Sequence, residues 1–274
     1  MARIGMVNYI NTAPLYEVWK EMEHPESWQI IEGQPSELNT MLAAGEIDMG
    51  FVSSYEYAAR PEQYQIFADL SISATGPVGS VYLFSKLPIE ELHLKPIVLT
   101  GQSGTSVCLG RILLEEYYKA HPVYTVGDAY SAEKEDRSIA GVLAIGDDAL
   151  RLRFENRYPV QLDLADAWFQ QTGLPFVFSV CAVRQEYLDK HEQTARAIRE
   201  TFVECRKKGV QQMAEICDRV ARRIPMDCEM CSAYLNGIQH DLTADKIQGL
   251  ELFYKQLVKR GEVSPASLPL KIFS

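Results

Sequence analysis

Two extended, uncharged segments bracket the middle third of this chain: residues 78–85 within "GPVGSVYLFSK" and 175–183 within "GLPFVFSVCAV". A chain that leaves one folding unit, builds a second and returns to the first must cross twice. The spacing therefore predicts an α/β protein of two lobes joined by two crossover strands. It divides the chain into a discontinuous first lobe, 1–85 with 178–274, and a second lobe, 86–177. In such folds a ligand sits in the crevice between lobes, beside the carboxyl ends of strands.

The text between the crossings agrees. Short apolar runs alternate with helical patterns, the mark of βα units around a largely parallel sheet. "RIGMV", "DMGFVSS", "PIVLT" and "AGVLAIG" read as strands. Helices are predicted after Asn11 or Thr12, with Pro14 in the first turn, and after Ser36 as a cap, stopping at Gly45. Others are expected over 104–119 and 147–154, and from 186 onward the chain reads as helix with breaks near Gly209, Pro225 and Gly261.

Bulk chemistry narrows the ligand. With 37 acidic against 27 basic residues the net charge is −10, which excludes the basic stripe of a nucleic-acid or anionic-membrane surface. No stretch is long and apolar enough to span a bilayer. "MARIGMVNYINTAPLY" already reads as strand and lacks the layout of a secretion signal, so the six cysteines are expected as reduced thiols in a cytoplasmic protein.

Small polar clusters follow the strands. "GQSGTS" places Ser103, Thr105 and Ser106 at a helix mouth, where unpartnered amides and the positive end of the macrodipole favour a carboxylate or phosphate. One capping hydroxyl would suffice for the helix alone, and no Lys follows as in a Walker loop. Asn11 can bond a ligand in the crevice or cap the next helix. Ser53 and Ser54 in "FVSSYEY" and Ser80 in "GPVGS" repeat the pattern, and four such clusters point to one polar pocket. In "LAIGDDAL", Asp147 can orient a substrate hydroxyl or cap the helix. Cys228 and Cys231 match no zinc-finger spacing, so neither metal nor cofactor is expected. His24, His93, His121, His191 and His240 lie away from the clusters in sequence, so no histidine base is expected.

Taken together, "RIGMVNYINTAPL", "PSELNTMLAAGEIDMGFVSSYEY", "GPVGSVYLFSK", "SGTSVCLGRILL", "AIGDDAL" and "DLADAWFQQTGLPFVFSV" resemble the MqnA group of menaquinone-biosynthesis proteins, the chorismate dehydratases of the futalosine pathway. The likeness runs from residue 3 to about 184, and Cys181 stands where that family usually has Trp. The resemblance implies the periplasmic-binding-protein-like fold of the second type. It also implies a cofactor-free hydro-lyase that converts chorismate to 3-[(1-carboxyvinyl)oxy]benzoate and water. By motif, Asn11 and Ser80 fall on the family's catalytic pair and Ser103, Thr105 and Ser106 on its "SGTS" hydroxyls. Thr105, Ser106 and the helix amides would hold one carboxylate, and Ser80 and Asn11 the other or the leaving hydroxyl. The expected partner is a small dicarboxylate, with no nucleic acid or membrane, bound by a monomer or homodimer. The rival reading is a non-catalytic cytoplasmic binding protein for a small carboxylate.

Overall fold

The computed structural model describes residues 1–132, 136–223 and 226–274, so Pro225 lies outside the described residues. The chain opens with β1 (Ala2–Val7), a 3-10 turn at Ile10–Thr12, α1 (Ala13–Glu21), β2 (Trp28–Gly33), α2 (Pro35–Ala44), β3 (Met49–Ser53), α3 (Ser54–Ala59) and β4 (Tyr64–Ala74). Then come β5 (Val81–Ser85), β6 (Pro96–Thr100), α4 (Gly104–Ile112), which runs on as a π turn over Leu113–Tyr117, and β7 (Val123–Gly127). Next are β8 (Gly141–Ile145), α5 (Gly146–Glu155), β9 (Val160–Asp163) and α6 (Leu164–Thr172). The chain closes with β10 (Phe176–Arg184), α7 (Gln185–Gln211), α8 (Met213–Val220), α9 (Cys228–Gly237), α10 (Ala244–Lys259) and β11 (Ile272–Phe273).

The strands form two mixed sheets. The first runs β11-β4-β10-β3-β1-β2 and the second β7-β6-β8-β5-β9. In the first, β1 lies parallel to β2 and β3, while β10 is antiparallel to both β3 and β4. In the second, β6 is parallel to β7 and β8, and β5 pairs antiparallel with β8 and β9. This corrects the division read from sequence at its edges. Residues 81–85, expected in the first lobe, belong to the second sheet, and Phe176 and Val177, expected in the second lobe, already pair in the first. The chain passes between sheets just before β5 and just before β10.

Local chemistry explains the elements that frame the cleft. β3 and β8 are buried along their whole length, as strands covered on both faces must be. α2 is capped by Gln34 in a capping box with Glu37, so Ser36 is already helical and the expected cap moves back two residues. α4 starts at Ser103, whose Oγ accepts from the Ser106 amide. α6 starts at Asp163, whose carboxylate accepts from the amides of Ala165 and Asp166 at 3.0 and 3.2 Å. That carboxylate also takes the Val78 and Gly79 amides at 3.2 and 2.7 Å, which pins the first crossing to the second lobe. The long α7 packs on α1 so closely that a Cβ on Gly209 would stand 1.9 Å from the Pro14 carbonyl oxygen. Gly209 is therefore a packing glycine in the last turn of α7, and the break expected near it comes at Gln212, between α7 and α8.

Candidate active site

A cavity lies between the two sheets. Its wall takes residues from β1, β3, β4, β5, β8 and β10, from the first crossing, and from the mouth of α4. Five of the eight site residues expected from sequence line it: Asn11, Ser53, Ser80, Ser103 and Ser106. Tyr9 and Ser179 add two further hydroxyls, and Val7, Phe51, Ile72, Val78, Val81, Ile145 and Phe178 supply apolar wall. Among the described residues, none that lines the cavity carries a charged side chain. Few polar groups on an apolar, concave surface is the ordinary make-up of a small-molecule site.

Asn11 reaches the cavity because the 3-10 turn after β1 carries it past the strand end. Its Oδ1 is buried and has no hydrogen-bond partner, so its polar valence is open to a ligand. The capping role that sequence left open for it is not taken, since α1 has no side-chain cap; Thr12 instead donates to the Val7 and Tyr9 carbonyls at 2.6 and 2.8 Å. Ser80 follows the first crossing and is 2% exposed. Its carbonyl accepts from the Gly146 amide at 2.8 Å, which ties it to the start of α5. Ser103 Oγ donates to Ser106 Oγ at 3.1 Å, and Ser53 Oγ accepts from Asn39 at 3.0 Å.

Three expected residues are not at the wall. Ser54 is fully buried and donates to the Val177 carbonyl at 2.7 Å. Thr105 is also fully buried, and its Oγ1 accepts from the Tyr55 amide at 2.9 Å, a bond between lobes rather than to a ligand. Asp147 sits in the first turn of α5, with Oδ1 buried and unpartnered, outside the cavity. Burial pushes the Asp147 carboxyl above its ordinary range, against the pull of Arg223 and Arg151. Periodicity explains the first two losses. Ser103 and Ser106 are three apart at a helix start and share a face, whereas Thr105 turns away, and Ser53 and Ser54 point to opposite sides of a chain leaving a strand.

The lobes also touch directly beside the cavity. Tyr9 Oη donates to Gln102 Oε1 at 3.0 Å, and Gln102 in turn donates to Asp148 at 3.3 Å. Burial first, then the charges of Asp147 and Asp148, push the Tyr9 phenol up to about 12, so it stays a neutral donor. Farther from the cavity, Arg260 after α10 joins Glu115 of the π turn at 2.7 Å.

A family model described as menaquinone biosynthesis matches residues 2–259. The chain belongs to the menaquinone-biosynthesis family. It is 30% identical over 275 residues to the chorismate dehydratase of Thermus thermophilus, covering 93% of this chain and 94% of that protein. Among solved structures, a protein of Archaeoglobus fulgidus aligns with a TM-score of 0.78 at 17% identity, covering 95% of this chain and 98% of that one. The periplasmic aliphatic sulphonate-binding protein SsuA of Escherichia coli aligns with a TM-score of 0.67 at 15% identity, covering 98% and 94%. At those identities the likeness shows the fold alone, which is periplasmic-binding-protein-like.

In this member of the menaquinone-biosynthesis family, two side chains from the C-terminal part stand behind the wall. Tyr234 Oη donates to Ser80 Oγ at 2.9 Å, and His240 Nε2 lies 2.8 Å from the Asn11 carbonyl. Sequence placed His240 away from the polar clusters; the structure puts it directly behind one. A carbonyl only accepts, so Nε2 carries the proton of a neutral ring. Burial holds this imidazole off protonation to about 4; the Asn11 bond opposes that shift, Arg206 and Lys246 add to it, and Asp241 opposes. Unfolded, the same ring takes its proton near pH 6.5. Between those values the unfolded chain binds the extra proton, so stability drops as pH falls from about 6.5 to 4, by at most about 3 kcal/mol. Urea midpoints at pH 7 and pH 4.5 should show this drop, and His240→Gln should remove most of it. Equal drops in both proteins would assign the effect to other groups.

Cys181 is fully buried in β10 opposite Phe51 and is not among the residues that line the cavity. All six cysteines are free thiols. Cys228 Sγ donates to Asp218 at 3.0 Å, and among the described residues no three His, Cys, Asp or Glu side chains gather as a metal ion requires. Among the described residues no helix is long and apolar enough to cross a membrane.

Proposed function

We propose that this protein is a chorismate dehydratase, acting without a cofactor in the cytoplasm as a monomer or homodimer. The observation that carries the reading is the uncharged cavity between the lobes, where the open carboxamide of Asn11 and the hydroxyl of Ser80 face one space. The dehydratase named for the Thermus relative supports it across nearly the whole chain.

Chorismate carries two carboxylates and a ring hydroxyl. In its dehydration the C3–H bond breaks, its electron pair becomes a ring double bond, and the C4–O bond breaks. The C3 proton and the departing hydroxyl end as water. Aromaticity drives the reaction, so the protein has only to orient the ring, stabilise charge as it moves, and keep bulk water out. Among the described residues no basic side chain lines the cavity, which fits a proton taken by the substrate's own enolpyruvyl carboxylate. Ser103, Ser106 and the mouth of α4 hold one carboxylate. Asn11 and Ser80 hold the reacting edge, with the Ser80 hydroxyl donating to the oxygen that leaves. Asp147, Ser54 and Thr105 act behind the wall rather than on substrate, and Ser53 completes the floor.

The purified protein should convert chorismate to a product 18 Da lighter, with aromatic ultraviolet absorbance appearing at the same rate. Binding of chorismate without that mass change would sink the reading in favour of a binding protein, the role that the sulphonate-binding fold plays in Escherichia coli.

A further inference from the structure

One short segment, outside the stretch that carried the resemblance, touches both members of the reacting pair. Residues 234–240 end α9 and run back along β4, where Gln239 and Ser73 exchange backbone bonds at 2.9 Å in each direction. At the start of this segment Tyr234 reaches Ser80, and at its end His240 reaches Asn11. Tyr234 is 8% exposed, and its ring lies where a Cβ on Gly79 would come within 3.3 Å. Gly79 has φ +78, so both its conformation and the tyrosine ring favour glycine there.

We propose that Tyr234 is a positioning residue that aims the Ser80 hydroxyl at the leaving oxygen of the substrate. The inference rests on the dehydratase reading above. A phenol is a stronger acid than an alkyl hydroxyl, so in the Tyr234–Ser80 pair the phenol donates and the serine oxygen accepts. Burial also pushes the Tyr234 phenol well above its ordinary value, which keeps it protonated. A hydroxyl has one proton, and accepting from Tyr234 forces the Ser80 proton away from the phenol. Among the described residues no protein acceptor takes that proton, and Ser80 lines the cavity. The remaining direction is toward the ligand. Accepting a bond also makes the Ser80 O–H a better donor, by about 10–30% per bond in a chain of this kind. Tyr234 itself transfers no proton; the chain runs from phenol to serine to the departing oxygen.

Tyr234→Phe keeps the ring and removes only the donor. It should lower kcat about 10-fold, leave KM within about 2-fold, and leave the melting temperature within about 2 °C. In a Ser80→Ala background the same change should cost nothing further, because the group it orients is gone. An equal loss in both backgrounds, or no loss in either, would overturn the inference. If Ser80→Ala gives no product even in long incubations read by mass, the split decides. A raised KM or a lowered melting temperature in Tyr234→Phe would then mark a merely structural role. Wild-type protein that yields no product from chorismate defeats the dehydratase reading and this inference together; wild-type turnover with any of the contrary outcomes defeats this inference alone.

Discussion

Replacing Asn11 by Ala lowers kcat for chorismate about 10²- to 10³-fold, with KM changed only a few-fold; that is the size of losing one preorganised polar group at developing charge. Two features of the structure set this expectation. Asn11 lines the cavity, and its buried carboxamide oxygen has no protein partner to lose. The backbone at the same residue is held by His240 at 2.8 Å, so the alanine variant keeps the turn while losing the side chain. A group whose contact strengthens as C–H and C–O bonds break reduces kcat and kcat/KM together when removed, whereas one that binds substrate and transition state alike raises KM. Steady-state ultraviolet rates across a chorismate range separate these. Wild-type kcat in the variant would remove Asn11 from the chemistry.

Trp168→Ala should destabilise the protein by about 3 kcal/mol, at the low end of the 3–5 kcal/mol range for a large aromatic. Trp168 is fully buried on α6 of the second lobe, with Phe176 edge-on at 5.4 Å and Phe253 at 6.4 Å. Phe176 begins β10 and Phe253 lies on α10, so this cluster packs where the chain returns to the first lobe. One term opposes the loss. The indole Nε1 is buried with no partner, and deleting such a group relieves about 1–3 kcal/mol. The cavity left by an indole outweighs that relief, because backbone on three elements would have to collapse to fill it. Urea midpoints converted with a common m-value test this. A loss under about 1 kcal/mol would show that the return crossing does not depend on this ring.

How far the sequence carried depended on the range of the interaction concerned. Buried runs such as "GVLAI" and "PIVLT" announced β8 and β6, because strands covered on both faces are written as unbroken apolar text. β7 and β9 were not announced. β7 is a largely exposed edge strand and β9 has four residues, so neither leaves an apolar run. The extended character of residues 81–85 was legible, but their sheet was not, since that depends on pairing with β8 and β9 some 60 to 80 residues later. Among the polar residues, membership of a strand-end cluster was visible, while which member faces inward was fixed by pleat and helix phase. Ser54 and Thr105 were lost on that point.

The sequence by itself determined the class of fold, the two crossings and the strand ends at which polar groups gather, because these follow from periodicity and composition within a dozen residues. Only the tertiary structure decided that Tyr234 and His240 stand behind Ser80 and Asn11, across 154 and 229 residues of chain. No local pattern encodes such a contact. It exists because the C-terminal helices close over the end of β4, and burial there obliges each polar group to find a partner.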